Sequence, residues 1–180
     1  GQSGVRVTYP FYSTDTFSIS GTRGSQYSHI ASFKYITGAQ FALNENFDAG
    51  NDFTGDTVVL RPEGGRCATI SVSASDSLKL MYQTMSKNLP EGLEIWLELD
   101  YKCDVPFYAG FFGAFSGSTA VRVPVVFLAE KAEWSHVYIK LGDYVSNLRA
   151  DTYSVYFEAL RPYGTTGGTV YIDNVKLIHL

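Results

Sequence analysis

The sequence predicts an all-β chain, folded as an antiparallel two-sheet β-sandwich. Three observations carry this. Aromatics make up 15% of the chain, with 13 Tyr and 12 Phe against 2 Trp, and such residues suit half-buried pleated surfaces better than helices. Short apolar runs recur along all 180 residues, broken by Gly, Pro, Asn and Asp, which is the rhythm of strands and turns. The closing stretch, Thr169-Val-Tyr-Ile-Asp-Asn-Val-Lys-Leu-Ile-His-Leu180, alternates apolar and polar around an Asp-Asn pair and is expected to end inside a sheet.

Taken in order, strands are expected at residues 5–9, 16–20, 29–36, 40–43, 57–60, 66–74 and 77–85. The second half adds 93–103, 107–115, 120–128, 134–141, 152–160 and 169–178. Pro62, Pro90, Pro106 and Pro162 fall between these runs, where they remove no ladder donor. Gly142-Asp-Tyr-Val-Ser-Asn-Leu-Arg149 predicts a turn or two of helix, with Asp143 as its cap. Residues 44–55 are polar and turn-rich and read as a long loop. The whole chain, 1–180, is then one domain: residues 1–55 supply N-terminal strands and the loop, and 56–180 the main sandwich. Its length suffices to bury a core without metals or disulfides.

Net charge is −4 with acids and bases interspersed, so the chain lacks the basic face that nucleic acid requires. No apolar run approaches the ~20 residues that span a bilayer. Gly1-Gln-Ser-Gly4 has neither the charged nor the apolar region of a secretory leader. By alternation Cys67 shares a face with Thr69 and Ser71, and Cys103 one with Leu99 and Tyr101. The two faces differ in kind, which favours two separate thiols over a disulfide.

Alternation also sorts each strand into rows. Leu93, Ile95, Leu97, Leu99 and Tyr101 form an inner row, with Val137, Ile139, Val155, Phe157, Val170 and Ile172 as further core. Outward rows hold Glu94, Trp96, Glu98, Asp100 and Lys102; Trp134, His136, Tyr138 and Lys140; Ser154, Tyr156 and Glu158; and Tyr171 with Asp173. Aromatics mixed with acids and amides are the composition of a sugar-binding surface. A pyranose offers C–H bonds for ring stacking and hydroxyls for hydrogen bonds, and the latter net only ~1 kcal/mol each because they replace bonds to water. On this reading Trp96 is the stacking platform and Glu94, Glu98, Tyr138, His136 and Tyr156 its neighbours. The competing reading makes these rings cross-strand packing partners or an interface to another domain. For Trp134, at a strand start, packing under a loop is expected. In Phe107-Tyr-Ala-Gly-Phe-Phe-Gly-Ala-Phe115, adjacent Phe111 and Phe112 must face opposite sides.

Catalytic patterns are missing. The histidines, His29, His136 and His179, are dispersed, and no phosphate loop, nucleophile elbow or Cys-x-x-Cys occurs. Glu94 and Glu98 lie on one strand about 13 Å apart, too far for a glycosidase pair, so no enzymatic activity is expected. Asn44-Glu-Asn-Phe-Asp48 and Asp173-Asn174 are oxygen-rich. They suit either a structural calcium or ordinary turn hydrogen bonding.

The pieces Ser77-Leu-Lys-Leu-Met-Tyr82, Leu93-Glu-Ile-Trp-Leu-Glu-Leu-Asp-Tyr-Lys102, Trp134-Ser-His-Val-Tyr-Ile-Lys-Leu141 and Tyr171-Ile-Asp-Asn-Val-Lys-Leu177, in this order and spacing, resemble jelly-roll carbohydrate-binding modules and galactose-binding-like domains. The pattern is also similar to surface lipoproteins of gut Bacteroides-type bacteria. The resemblance implies a jelly-roll topology and a structural calcium linking an early acidic turn to the closing strand. Asp173 matches that strand, and Asp48 stands in the turn Asn46-Phe-Asp-Ala-Gly50 where the family carries Glu. It further implies export, to the cell surface or periplasm, as part of a lipoprotein. The expected function is non-catalytic binding of a polysaccharide or glycan. The alternative is a structural or adhesive module that binds another protein domain.

Overall fold

The computed structural model describes residues 39–179 apart from residues 56, 63 and 93. The strands expected at 5–9, 16–20 and 29–36, and the core position Leu93, lie outside the described residues. Within them the chain forms β1 (Gln40–Glu45), β2 (Phe53–Thr54), β3 (Thr57–Leu60), β4 (Arg66–Val72), β5 (Leu78–Gln83), β6 (Ile95–Cys103), β7 (Phe107–Ala114), β8 (Val121–Leu128) and β9 (Lys131–Lys140). A short helix α1 (Gly142–Leu148), β10 (Thr152–Leu160) and β11 (Gly168–His179) complete it. Every expected strand within this range forms, with ends shifted by a few residues.

The strands make two antiparallel sheets. The first runs β3-β4-β11-β6-β9, with β1 also on β11; the second runs β2-β5-β10-β7-β8. The chain passes back and forth between them, so sequence neighbours such as β5 and β6 lie in different sheets. This is the jelly-roll arrangement that the resemblance implies. Strand β11 is the hub of the first sheet. Its first half pairs with β4 and its second with β1, while β6 runs along its other side. A bulge at Asn174, whose φ is 50°, separates the two halves. Asn tolerates this left-handed conformation better than most residues, which accounts for Asp173-Asn174 at the centre of the strand.

The core lies between the sheets, and the inner rows read from alternation fill it. Ile95, Leu97 and Leu99 are buried with Val155, Phe157, Val170 and Ile172, and Val137 packs on them from a half-buried position. Phe107 touches both Tyr101 and Phe157, at ring-centroid distances of 5.4 and 6.4 Å. Packing of this kind supplies most of the stability, at about 1.5–3 kcal/mol for each large side chain fully buried.

The loop after β1 is more ordered than its polarity suggests. Both oxygens of the buried Glu45 carboxylate accept backbone bonds, from the Phe47 N–H at 2.6 Å and the Asp52 N–H at 2.7 Å. These bonds hold Phe47 in a left-handed conformation. Its ring enters the core beside Phe53, 5.8 Å away. The helix also differs in detail from expectation. Leu141 occupies the cap position with no side-chain cap bond, and Asp143 sits within the first turn. Cys67 and Cys103 are two separate buried thiols, as their different faces predict. Among the described residues no helix is long and apolar enough to cross a membrane.

Candidate functional site

Five of the six residues expected to bind sugar come together on the outer face of the first sheet. Antiparallel register sets Trp96 opposite Lys140, Glu98 opposite Tyr138 and Asp100 opposite His136, and Glu94 holds the Lys140 ammonium at 3.1 Å. Charge pairs engage the polar groups of this face. His136 Nδ1 lies 2.6 Å from Asp100 Oδ1, and Nε2 lies 3.2 Å from Glu98 Oε1. With a carboxylate at each ring nitrogen, hydrogen bonds to Asp100 and Glu98 push the His136 pKa up to about 9. Burial raises the Asp100 carboxyl, but the bonds from His136 and Asn174 outweigh it and leave its pKa below the ordinary value. Glu98 is buried and also binds Lys176 Nζ at 3.0 Å. Arg61 pairs with Asp173, and its guanidinium covers the Trp134 ring at 4.3 Å. Trp134 therefore packs under a loop residue, as its position predicts.

The sixth residue, Tyr156, is on the other sheet. It points to that sheet's outer face yet is fully buried. Its ring lies 4.8 Å from Phe112 and under the Arg122 guanidinium, 5.9 Å away. Arg122 reaches across it to the Glu158 carboxylate.

Around this buried ring the second sheet presents a different surface. Its outer rows, read across the strands, are Ser154–Phe112–Arg122, Tyr82–Tyr156–Gly110–Pro124 and Leu80–Glu158–Tyr108–Phe127. Tyr82 is 41% and Phe127 51% exposed. Each has an edge-on aromatic neighbour: Phe112 lies 6.3 Å from Tyr82, and Tyr108 lies 5.2 Å from Phe127. From β5 to β8 the aromatic surface spans three strand spacings, about 14 Å.

A depression of about 360 Å³ opens at one end of this face. Its origin is a gap in the β5–β10 ladder. Pairing stops at Tyr82–Tyr156 and resumes only at the Lys87–Tyr153 bridge, with residues 83–86 on one strand against residues 154 and 155 on the other. The Gln83 side chain fills the gap, its carbonyl accepting the Val155 N–H at 3.2 Å. Tyr82, Gln83, Thr84, Ser86, Phe112 and Ser154 are among the lining residues. Two buried polar atoms of this sheet, Gln83 Nε2 and Tyr156 Oη, have no hydrogen-bond partner among the described residues.

Tyr82, Gln83 and Arg122 escape a reading of rows alone. In β5 both rows contain apolar residues, Leu78, Leu80 and Tyr82 against Met81, so alternation names no outer face. The adjacent Phe111-Phe112 does signal an outward ring, and Phe112 is that ring.

Asp48 and Asp173, the carboxylates that the resemblance assigns to calcium, each have protein partners. Asp48 Oδ1 accepts the Arg66 N–H at 2.8 Å. Asp173 is engaged by Arg61 and by the Asn174 N–H at 2.7 Å. Among the described residues no three or more His, Cys, Asp or Glu side chains are grouped to hold a metal ion.

No protein-family model matches the sequence, and no curated protein is similar to it. Solved structures do match. The Clostridium thermocellum xylanase 10B fragment, comprising CBM22-1 and GH10 modules with xylohexaose, aligns over 77% of this chain at 16% identity and a TM-score of 0.54. This chain spans only 28% of that two-module protein. A CBM28 module specific for non-crystalline cellulose aligns over 77% of this chain and 94% of its own, at 12% identity and a TM-score of 0.55. The K3 cleaved adhesin domain of Lys-gingipain from Porphyromonas gingivalis aligns over 78% and 99%, at 14% identity and a TM-score of 0.50. At such identities the likeness establishes the fold: the chain is a jelly-roll β-sandwich of the architecture found in carbohydrate-binding modules.

Proposed function

We propose that this chain is a non-catalytic glycan-binding module and that its site is the outer face of the second sheet. The observation that carries the reading is the pair Tyr82 and Phe112, standing edge to face beside an open depression. Tyr82 gives a sugar an apolar surface with a polar tip, at little cost in side-chain entropy. On the first sheet the candidate partners of a sugar are already paired with one another, and a ligand there would have to replace ion pairs with weaker hydroxyl bonds. The fold shared with a xylan- and a cellulose-related module supports the same reading. Among the described residues that line the depression there is no carboxylate pair, which supports binding over hydrolysis.

Affinity electrophoresis on neutral polysaccharides tests it, with Tyr82→Ala and Trp96→Ala run beside wild type. Retardation is expected for wild type and Trp96→Ala and is lost in Tyr82→Ala. Loss in Trp96→Ala alone would return the site to the first sheet.

A second reading, an adhesive module for another protein, is favoured by Phe41 on β1, a large apolar ring that is 46% exposed. The fold it shares with an adhesin domain agrees with this. Export to a bacterial cell surface, as part of a lipoprotein, is the setting we propose with either reading. It rests on the sequence resemblance and is testable by fractionating cells that express the full-length protein.

A further inference from the structure

We infer that Arg122 is a ligand-contacting residue of the second-sheet face, that its guanidinium donates to adjacent hydroxyl oxygens of a neutral glycan, and that Glu158 positions it for this. This rests on the glycan-binding reading above and deepens it, by naming the polar group that reads the sugar between the aromatic rings.

Stacking engages the C–H face of a sugar and leaves its hydroxyl rim to polar groups. Arg122 stands where such a group is needed. It lies directly across from Phe112 in the β7–β8 register. Phe112 is 6.3 Å from Tyr82 and 4.8 Å from Tyr156, and the Arg122 guanidinium is 5.9 Å from the Tyr156 ring. It reaches Glu158, which shares a row with Tyr108 and Phe127. The guanidinium therefore crosses the face from one aromatic pair towards the other.

The group also has donors to spare. The Arg122 side chain is 49% exposed, its carboxylate partner 7%. A guanidinium carries five N–H donors in a planar fork, and this one has a single hydrogen-bond partner among the described residues, bound through Nη1. His136 on the first sheet is the contrast, with a carboxylate at each ring nitrogen. A sugar hydroxyl can therefore join the Arg122–Glu158 pair without displacing either member. The ion pair and the ring beneath it fix the side chain in advance, which lowers the ordering cost of binding.

The same pair decides the charge of the ligand. Glu158 already neutralises the guanidinium. A ligand carboxylate that took Arg122 for itself would leave the buried Glu158 without its partner, which is strongly unfavourable. Adjacent hydroxyl oxygens of a pyranose can take two N–H bonds from the fork and leave the ion pair intact.

The test compares wild type, Arg122→Lys and Tyr82→Ala by titration calorimetry with xylohexaose, cellohexaose and an oligogalacturonate. Lysine keeps a cation for Glu158 but not the planar fork, so it separates contact with the ligand from support of the fold. Wild type is expected to bind a neutral hexaose. Arg122→Lys should lose at least tenfold in that affinity while its thermal midpoint stays within about 3 °C of wild type. If the midpoint falls further, a measurement without a variant decides: in ¹⁵N-labelled wild type the Arg122 Nε–H signal should move on titration with xylohexaose. Full affinity in Arg122→Lys, a stationary Nε–H signal, or tighter binding of the oligogalacturonate than of either hexaose overturns the inference. Loss of binding in Tyr82→Ala would then show the glycan reading still standing. Failure of wild type to bind any of the three oligosaccharides overturns both.

Discussion

The ring of Tyr156 lies against Gly110 of the neighbouring strand, close enough that a Cβ on Gly110 would come within 2.9 Å of Tyr156 Cε1 and 2.3 Å of the Val123 carbonyl. Only glycine lets β7 sit between β8 and this ring, and Phe112 and Arg122 then cover the ring. Gly110 therefore sets the floor of the candidate binding face.

Gly110→Ala is expected to destabilise the fold by about 2–3 kcal/mol, the cost of overpacking against backbone that cannot move aside. Gly113→Ala is a useful contrast. Its new methyl would meet the Leu148 side chain, with Cδ2 at 2.3 Å, and the Ala150 Cβ at 2.9 Å; the leucine rotamer, which makes the tighter contact, can give way more readily than a carbonyl. Urea denaturation of both variants should show the larger loss for Gly110→Ala.

Alternation along the strands makes the sandwich and its inner rows legible in the amino-acid order itself. Ile95, Leu97 and Leu99 are in the core because each apolar residue in that run is followed by a polar or amphipathic one. The candidate site is less legible. Trp96 and Tyr156 both read as outward aromatics, yet they lie on opposite sheets, since the side of the sandwich a row faces depends on strand order. Gln83 is further from reach. Its interest arises from a ladder gap between strands some seventy residues apart in sequence, |i−j| being 72 for its bond to Val155, and no local pattern encodes it.

His136 gives the protein a pH-dependent stability with a definite sign. Its pKa is about 9 in the fold against about 6.5 for an unfolded chain, so folding favours the protonated ring. The stabilisation is complete below about pH 6.5, erodes as pH rises and is gone above pH 9. The ring is 36% exposed, and solvent screening reduces the contribution to about 1 kcal/mol. Thermal melts between about pH 6 and pH 9.5 should show a falling midpoint. His136→Gln should flatten that dependence, and added salt should weaken it.

Arg61 and Asp173 form the other strong contact of the first sheet, between residues 112 apart in sequence. Burial pushes the Asp173 carboxyl up even with this partner present. Arg61→Ala should cost roughly 3 kcal/mol, because it leaves a buried carboxylate uncompensated. Asp173→Asn should cost less, since Arg61 is 19% exposed and can turn to water. Chemical denaturation of the two single variants and the double variant would give the coupling between them.

The location of the glycan site is the central claim, and the two tryptophans report on it. Both Trp96 and Trp134 are on the outer face of the first sheet, whereas Tyr82, Gln83, Phe112 and Ser154 are around the depression on the second. In a ¹⁵N-labelled sample titrated with a neutral oligosaccharide such as xylohexaose, backbone signals of Tyr82, Gln83, Phe112 and Ser154 should shift while both indole N–H signals stay in place. Movement of the indole signals with the second sheet undisturbed would contradict the account and put the ligand on Trp96.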